Sequence, residues 1–204
     1  YGHVTECLWQ DNDWASVTDE ERATIKARQG VAMPMMEDIT VMDDKMEQIP
    51  MDSATQGEIM IRGNSVMKGY YKNKEATNSA FKGGYFHSGD IAIQHSDSYI
   101  QIADRAKDII ISGGENISSV EVEGVLMAHE SVSLCAVVAM PDEKWGEVPC
   151  AFVELLPKTV TSEDELIDFS RSKIAGFKCP KKIIFCELPK TSTGKIQKFE
   201  LRKV

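Results

Sequence analysis

The sequence lacks the features that mark several classes of protein. No apolar run approaches the roughly 18 residues that a membrane-spanning helix requires. Residues 1–30 carry acidic and basic side chains throughout, unlike a signal peptide. Basic residues are in deficit, since the formal net charge is -9, whereas nucleic-acid binding requires a basic patch or stripe. We therefore expect no membrane span and no nucleic-acid partner.

Cysteine is also scarce, and its spacing argues against a metal site or a disulfide framework. The five cysteines are odd in number, scattered and without a CxxC pair: Cys7, Cys135, Cys150, Cys179 and Cys186. This spacing is more typical of buried, reduced thiols in an intracellular protein. We therefore predict neither metal ligands nor disulfides among them.

The pattern of the chain changes near residues 105–107. Before this point, short alternating strands are bounded by turns, as in the segment 57–63 (GEIMIRG). After it, apolar β-branched runs alternate with an amphipathic helix pattern at 161–174. We predict an α+β protein, with a small β-rich module at 1–106 and a compact α+β module at 107–204.

Three local signals predict particular pieces of backbone. Thr18 is followed three residues later by Glu21, which is the pattern of a capping box at the start of a helix. The polar residues 95–98 separate two strand patterns and predict a hairpin. The segment 108–119 (DIIISGGENISS) predicts a strand, a glycine turn and then a loop.

The first candidate site is the segment 85–90 (YFHSGD). The Asp90 carboxylate can accept hydrogen bonds from two sugar hydroxyls, and Gly89 permits close approach of a ligand. Taken alone, a Gly-Asp pair is more often a plain turn. The segment therefore gains weight only in company with the two that follow.

The second candidate is the segment 104–117 (DRAKDIIISGGENI), in which alternating charges precede a strand and a double glycine. The charges could belong to a solvated linker, and Gly113 and Gly114 could form a simple tight turn. The GxGxxG fingerprint of dinucleotide sites is absent.

The third candidate is the segment 189–196 (PKTSTGKI). A lysine on a flexible turn, here Lys195, can be delivered to an anionic centre as a compact positive charge. A nucleotide-triphosphate loop does not fit, because no glycine lies five residues before Gly194 and Ile196 replaces the hydroxyl residue that would bind magnesium. A solvated surface lysine is the alternative interpretation.

Together and in this order, the three segments resemble the adenylate-forming enzymes, which include acyl-CoA synthetases, luciferases and the adenylation domains of peptide synthetases. The segments 57–73 (GEIMIRGNSVMKGYYKN) and 135–155 (CAVVAMPDEKWGEVPCAFVEL) extend the resemblance over essentially the whole chain. Within this superfamily, the amino-acid sequence of these segments is most similar to plant acyl-activating enzymes for short- or medium-chain and aromatic acids. The resemblance implies that 1–106 is the C-terminal piece of a large AMP-binding domain and that 107–204 is a mobile C-terminal domain.

The resemblance also implies roles for single residues in a two-step reaction, in which a carboxylate is first adenylated with ATP and then transferred to coenzyme A. Asp90 would bind the ribose hydroxyls of ATP or AMP, and Arg105 would bind the same ribose or the phosphate. Lys107 would be the hinge about which the C-terminal domain turns between the steps. Lys195 would be the catalytic residue that stabilises charge at the α-phosphate during adenylation.

The resemblance assigns a further group of residues to the thiol step. Gly113, Gly114 and Glu115 would line the pantetheine tunnel of coenzyme A. Trp145 is a second candidate for this tunnel, and a core aromatic is its alternative interpretation. The implied ligands are therefore ATP or AMP, coenzyme A, a small carboxylic acid and Mg²⁺, with the magnesium ligand upstream of this chain.

The start of the chain permits two alignments with the superfamily. A motif Tyr-Gly-x-Thr-Glu would place phosphate and magnesium contacts at Thr5 and Glu6, but the spacing here is one residue too long. The alternative matches Gly2, Cys7 and the pair Trp9-Gln10 to a stretch just after that motif, which leaves Thr5 and Glu6 without a role. We do not assign Thr5 and Glu6 to the site.

The leading interpretation is a partial acid–thiol ligase, inactive by itself, whose parent is an ATP-dependent acyl-CoA synthetase. A truncated product that binds a partner or regulates the full-length enzyme is an alternative from another class. A luciferase-like member of the same superfamily is the third. We expect an intracellular protein, either cytoplasmic or peroxisomal; the sequence indicates neither the acid substrate nor the oligomeric state.

Overall fold

The computed structural model describes residues 3–8 and 14–203. The chain divides into two compact units, Tyr1–Ala106 (unit 1) and Lys107–Val204 (unit 2). The division falls where the sequence pattern changes. Of the residues used in the two alternative alignments, Tyr1, Gly2, Trp9 and Gln10 lie outside the described residues.

Unit 1 is built on a four-stranded antiparallel sheet with the order β3-β4-β5-β6. A short antiparallel pair, β1 with β2, precedes this sheet. Its described elements are β1 Thr5–Glu6, α1 Asp19–Lys26, β2 Val31–Ala32, β3 Met36–Met42, β4 Gly57–Gly63, α2 Lys74–Ala80, a 3₁₀ turn Lys82–Gly84, β5 Phe86–Gln94 and β6 Ile100–Arg105.

The local predictions for unit 1 are confirmed. Thr18 caps α1: its hydroxyl accepts a hydrogen bond from the Glu21 N–H at 3.2 Å, and its own N–H donates to the Glu21 carboxylate at 2.8 Å. The polar residues 95–98 join β5 to β6 as a hairpin. Alternate residues of the sheet, among them Val41 and Ala92, are fully buried and form the core.

Unit 2 is built around the long strand β10. Strand β9 pairs with β10 in antiparallel fashion, β11 pairs with it in parallel, and β7 touches it at the pair Gly146–Ser112. The elements of this unit are β7 Ile110–Ser112, β8 Glu115–Ile117, α3 Ser119–Met127, β9 Val132–Asp142, β10 Gly146–Leu155, α4 Glu163–Arg171, β11 Lys182–Phe185 and α5 Lys198–Leu201.

Both faces of the unit 2 sheet are covered, which explains why β9 and β10 read as nearly continuous apolar runs. One face, including Val137 and Val153, packs with Val122 of α3 and Leu166 of α4. The other face includes Ala136, Val138 and Phe152. It packs with Leu201 of α5 and with Leu188 of the loop after β11. The predicted α+β fold class is confirmed.

One local prediction for unit 2 is wrong. The residues after the double glycine are not a loop but the short strand β8, which pairs with β7 from Ser112–Glu115 to Ile110–Ile117. Because three residues with two exposed polar side chains have no strand pattern, only pairing with β7 reveals this strand.

The cysteines follow the prediction of buried thiols in large part. Cys135, Cys150 and Cys179 are buried, Cys7 and Cys186 are half-buried, and all five are free. In the described part of the chain, no helix combines the length and the apolar character needed to traverse a bilayer.

Candidate functional site

The structure brings the two predicted nucleotide contacts of unit 1 together. Asp90 on β5 and Arg105 on β6 are directly opposed in the antiparallel pair. The Arg105 Nε lies 2.6 Å from the Asp90 Oδ1, while the Arg105 side chain is 50% exposed and that of Asp90 is 23% exposed. A carboxylate and a guanidinium at one accessible place can accept from, and donate to, a sugar–phosphate ligand.

The backbone before Asp90 is held by a residue that the sequence did not single out. Glu58 on β4 accepts a hydrogen bond from the Gly89 N–H at 2.8 Å, and its second oxygen lies 2.9 Å from the His87 Nδ1. Gly89 has a φ of +72°, and a Cβ added there would meet no atom within 4 Å. This irregular position in β5, where the register with β4 shifts, therefore needs glycine for its conformation and leaves open space beside Asp90.

The predicted hinge, Lys107, lies between two anchored backbone atoms. On its N-terminal side, the Ala106 N–H donates to the Gly89 carbonyl at 2.9 Å within unit 1. On its C-terminal side, the Arg202 guanidinium donates to the Lys107 carbonyl at 3.3 Å and pairs with Asp108, both within unit 2. The backbone torsions of Ala106 and Lys107 are thus enclosed by these two anchors.

The predicted glycine pair forms the turn of a tight hairpin between β7 and β8. Gly113 and Gly114 have φ values of +60° and +90°, which a two-residue hairpin of this kind requires at both positions. The hairpin is fixed to the start of β10, because the Gly113 N–H donates to the Trp145 carbonyl at 2.8 Å. The exposed Glu115 begins β8 directly after the turn.

A cleft of about 150 Å³ lies beside this hairpin, and Ser112, Gly113, Glu115, Trp145, Phe177 and Lys181 line it. Trp145 is 43% exposed and Phe177 is 46% exposed, so Trp145 is not the core aromatic of the alternative interpretation. Two accessible rings and a lysine can hold a flat base and a phosphate. Phe177 and Lys181 were missed from the sequence, where only their place in the stretch 177–182 (FKCPKK) could have drawn attention to them.

The third candidate segment is a closed turn over residues 191–195, called the lysine turn below. The Thr191 N–H donates to the Lys195 carbonyl at 2.8 Å, and the Gly194 N–H donates to the Thr191 carbonyl at 2.9 Å. The Lys195 N–H returns a hydrogen bond to the Thr191 hydroxyl at 3.1 Å. Lys195 is exposed, and its ammonium makes no ion pair with any residue that the structure describes.

The lysine turn and the glycine hairpin lie towards opposite ends of β10. Glu154, next to the last residue of the strand, pairs with Lys190 just before the lysine turn. Gly146, the first residue of the strand, pairs with Ser112 of the hairpin. At a rise of about 3.3 Å per residue, Gly146 and Glu154 are roughly 25 Å apart.

Comparison with known proteins finds a family model and curated relatives that match this chain. The model of the family described as AMP-binding enzyme C-terminal domain matches residues 121–195. The acetate–CoA ligase CCL3 of Humulus lupulus is 50% identical over 208 residues, covering 99% of this chain and 36% of that protein. The peroxisomal trans-cinnamate:CoA ligase of Petunia hybrida is 47% identical over 205 residues, covering 100% of this chain and 36% of that protein.

A solved structure of a CoA synthetase also matches this chain. The o-succinylbenzoate CoA synthetase MenE from Bacillus subtilis, in complex with the acyl-adenylate intermediate OSB-AMP, matches with a TM-score of 0.80 and 30% identity over 92% of this chain and 38% of that chain. The chain belongs to the adenylate-forming acyl-CoA synthetase superfamily. It spans about a third of the length of the curated synthetases that it matches, 36% of each of the two plant proteins.

Within this chain, the predicted residues fall into separate places rather than one site. Asp90 and Arg105 form a pair in unit 1. In unit 2, Lys195 stands on the lysine turn, whereas the residues predicted for coenzyme A cluster around the cleft: Gly113, Glu115 and Trp145 line it, and Gly114 completes the hairpin turn. Lys107 begins unit 2.

Proposed function

We propose that this chain is part of an acid–thiol ligase that activates a carboxylate with ATP and transfers the acyl group to coenzyme A. The observation that carries the proposal is a contrast between lysines. Lys190 and Lys198 are paired with carboxylates at 2.9 and 2.7 Å, whereas Lys195 between them has no ion pair with any described residue. An unpaired ammonium on a closed turn suits an anion that comes from outside the unit, such as the phosphate of a nucleotide.

In the adenylation step, a carboxylate oxygen of the acid attacks the α-phosphorus of ATP, and pyrophosphate leaves. Negative charge grows on the α-phosphate oxygens, and Lys195 stabilises it more strongly in the transition state than in the ground state. Asp90 accepts hydrogen bonds from the ribose hydroxyls, and the exposed Arg105 donates to the ribose or the phosphate. The support for these two roles is their 2.6 Å contact across β5 and β6, where both side chains are accessible.

In the thiol step, the sulfur of coenzyme A attacks the carbonyl carbon of the acyl-adenylate, a thioester forms and AMP leaves. The glycine hairpin, with Gly113, Gly114 and Glu115, lines the path of the pantetheine arm. In the neighbouring cleft, Trp145 and Phe177 stack against the adenine of coenzyme A, and Lys181 pairs with a phosphate.

The separation of the lysine turn from the glycine hairpin supports a rotation of unit 2 between the steps. The lysine turn and the glycine hairpin are attached near residues that lie about 25 Å apart on β10. Both can reach the same bound adenylate only if the whole unit turns. Lys107, between its two anchored neighbouring atoms, is the hinge of this proposal.

Magnesium, which accompanies ATP in this proposal, is assigned no ligand in this chain. In residues 3–8 and 14–203, no three side chains of His, Cys, Asp or Glu come together in a way that could hold a metal ion.

The proposal extends to the activity of the isolated chain and to its place in the cell. Because the chain spans 36% of its plant relatives, residues 1–204 alone are expected to form no acyl-adenylate. The acids named for those relatives are acetate and trans-cinnamate, and we propose a short- or medium-chain or aromatic acid here. An intracellular location, cytoplasmic or peroxisomal, is part of the same proposal, since the Petunia relative is named peroxisomal.

The test is thioester formation by a full-length protein that contains residues 1–204. With ATP, coenzyme A and a panel of acetate, butyrate, cinnamate and benzoate, at least one acid should give its thioester together with equal amounts of AMP and pyrophosphate. Acyl-adenylate without any thioester would favour another activity of the superfamily, such as a luciferase-like oxygenase. Neither product from any acid would overturn the ligase proposal and favour a non-catalytic binding role.

A further inference from the structure

The lysine turn is attached to the body of unit 2 by two ion pairs, one on each side of Lys195. Lys190 lies just before the turn and Lys198 just after it, at the first position of α5. The partner carboxylates come from different elements, β10 and α3. These two ion pairs, called the first and the second support below, therefore fix the lysine turn in addition to any apolar packing.

The first support is the pair of Lys190 with Glu154. The Lys190 ammonium lies 2.9 Å from both carboxylate oxygens, and the Leu188 N–H donates to one of them at 2.6 Å. The Leu188 N–H and then the Lys190 ammonium hold the pKa of Glu154 below its usual range. The carboxylate is therefore ionised at neutral pH and fixes the segment 188–190 that enters the turn.

The second support is more deeply placed. The Lys198 ammonium lies 2.7 Å from the Glu123 carboxylate and donates to the Ser119 hydroxyl at 2.7 Å. The side chains of Lys198 and Glu123 are only 18% and 14% exposed. Glu123 also accepts a hydrogen bond from the Val137 N–H at 2.8 Å, so this contact joins α3, β9 and the start of α5.

We propose that Lys190 and Lys198 are positioning residues that fix the lysine turn, so that Lys195 is presented at one place while its side chain remains free. The main-chain bonds of the turn close it into one piece, and the two supports prevent that piece from tilting. Partly buried, hydrogen-bonded ion pairs are suited to this task, because they hold direction as well as distance. Displacement of a catalytic group by about 1 Å can cost on the order of a hundredfold in rate.

The inference rests on the proposed function of Lys195, and the experiment separates the two. In a full-length protein that contains residues 1–204, Lys198→Met should slow adenylation, measured by pyrophosphate exchange, by about ten- to a hundredfold. Thioester formation from added acyl-adenylate should stay within about twofold, because it does not use the lysine turn. Lys198→Arg, which retains the charge, should recover most of the adenylation rate.

Lys178→Met is the matched control. Lys178 pairs at 2.7 Å with Glu121, which lies on the same helix as Glu123. In the described part of the chain, Lys178 makes no hydrogen bond or ion pair with residues 191–195. Its loss should leave adenylation unchanged. Lys195→Ala is measured in parallel, and intact adenylation in that variant would overturn the proposed function. If adenylation is lost in Lys195→Ala but intact in Lys198→Met, only the positioning role is overturned.

Hydrogen exchange guards against a general loss of folding. In Lys198→Met, the amides of Thr191, Gly194 and Gln197, which bond within or beside the turn, should exchange faster, while those of β10 remain protected. Faster exchange across the whole of unit 2, or an equal loss in both half-reactions, would show a merely structural role and would overturn the proposal.

Discussion

Gly113 and Trp145 are locked together by a main-chain hydrogen bond of 2.8 Å and by close approach of the tryptophan ring. A Cβ added to Gly113 would lie 2.8 Å from the Trp145 Cε3, whereas one added to Gly114 would meet no atom within 4 Å. The two neighbouring glycines share a left-handed backbone but differ in the space around them.

This difference predicts unequal costs for two alanine substitutions. Gly114→Ala should lower the free energy of unfolding by about 1–2 kcal/mol, the cost of a left-handed backbone for alanine. Gly113→Ala should cost more, because the tryptophan must also move. Urea unfolding of residues 1–204 measures both, and equal costs would show that the ring does not resist the new methyl group.

Lys195→Ala tests the catalytic role proposed for Lys195 in a full-length protein that contains this chain. Loss of one oriented positive charge from the transition state should slow adenylation by on the order of a hundred- to a thousandfold. Thioester formation from preformed acyl-adenylate should change much less. Single-turnover assays of each half-reaction measure the contrast, and an equal loss in both would defeat the assigned role.

Lys107→Pro tests the hinge. Proline fixes φ near -65° and restricts the preceding residue, so rotation about Ala106 and Lys107 should be hindered. We expect thioester formation to slow much more than adenylation, the reverse of the Lys195→Ala pattern. Lys107→Ala is the control and should retain both half-reactions, since the hinge uses the backbone rather than the side chain.

Asp90→Asn tests the nucleotide contact. The amide cannot form an ion pair with Arg105, and it forms weaker hydrogen bonds with the ribose hydroxyls than a carboxylate does. A hydrogen bond to a charged group contributes about 1.5–3 kcal/mol, so the KM for ATP should rise by roughly ten- to a hundredfold. Glu37→Gln is the control, because it breaks an exposed ion pair of unit 1 with Arg62 and should leave this KM unchanged.

Cys135 should be inert in the folded protein. Burial, and then the nearby Glu123 charge, raises the pKa of this thiol to about 12, so at pH 8 almost none of it is thiolate. Iodoacetamide should modify it only after unfolding, when its pKa returns to about 8.5. Mass spectrometry measures the labelling, with the half-buried Cys7 as comparison; equal labelling of both in the folded state would contradict the burial.

The same shift gives a pH dependence with a definite sign. Between about pH 8.5 and about pH 12, the unfolded chain releases the Cys135 proton while the folded chain keeps it. The stability that this group contributes is therefore complete below about pH 8.5 and falls as the pH rises through that window. In Cys135→Ala, this part of the pH dependence should be absent.

The sequence could predict the features that depend on neighbouring residues. The capping box of Thr18 and Glu21, the hairpin at 95–98 and the apolar strands of unit 2 follow from local patterns. Strand β8 could not be predicted, because its pairing with β7 and not its composition makes it a strand. Local pattern and tertiary pairing thus account for different parts of the fold.

The candidate site divides in the same way. The glycines and Lys195 lie in short motifs, which a reader of the sequence can recognise. The contacts of Phe177 with the cleft and of Lys198 with Glu123 join segments that are far apart in the chain. Such contacts are fixed only when the helices pack on the sheet, so no short pattern indicates them.

Gly89 connects the proposed nucleotide contact to the proposed hinge through a single residue. Its N–H donates a hydrogen bond to the Glu58 carboxylate, and its carbonyl accepts one from the Ala106 N–H. Ala106 is the residue directly before Lys107. The part of β5 that carries Asp90 therefore also anchors the residue before the proposed hinge. In the proposed reaction, a nucleotide bound at Asp90 would therefore lie next to the residue that anchors Ala106, so we expect the proposed hinge to respond to occupancy of the nucleotide site.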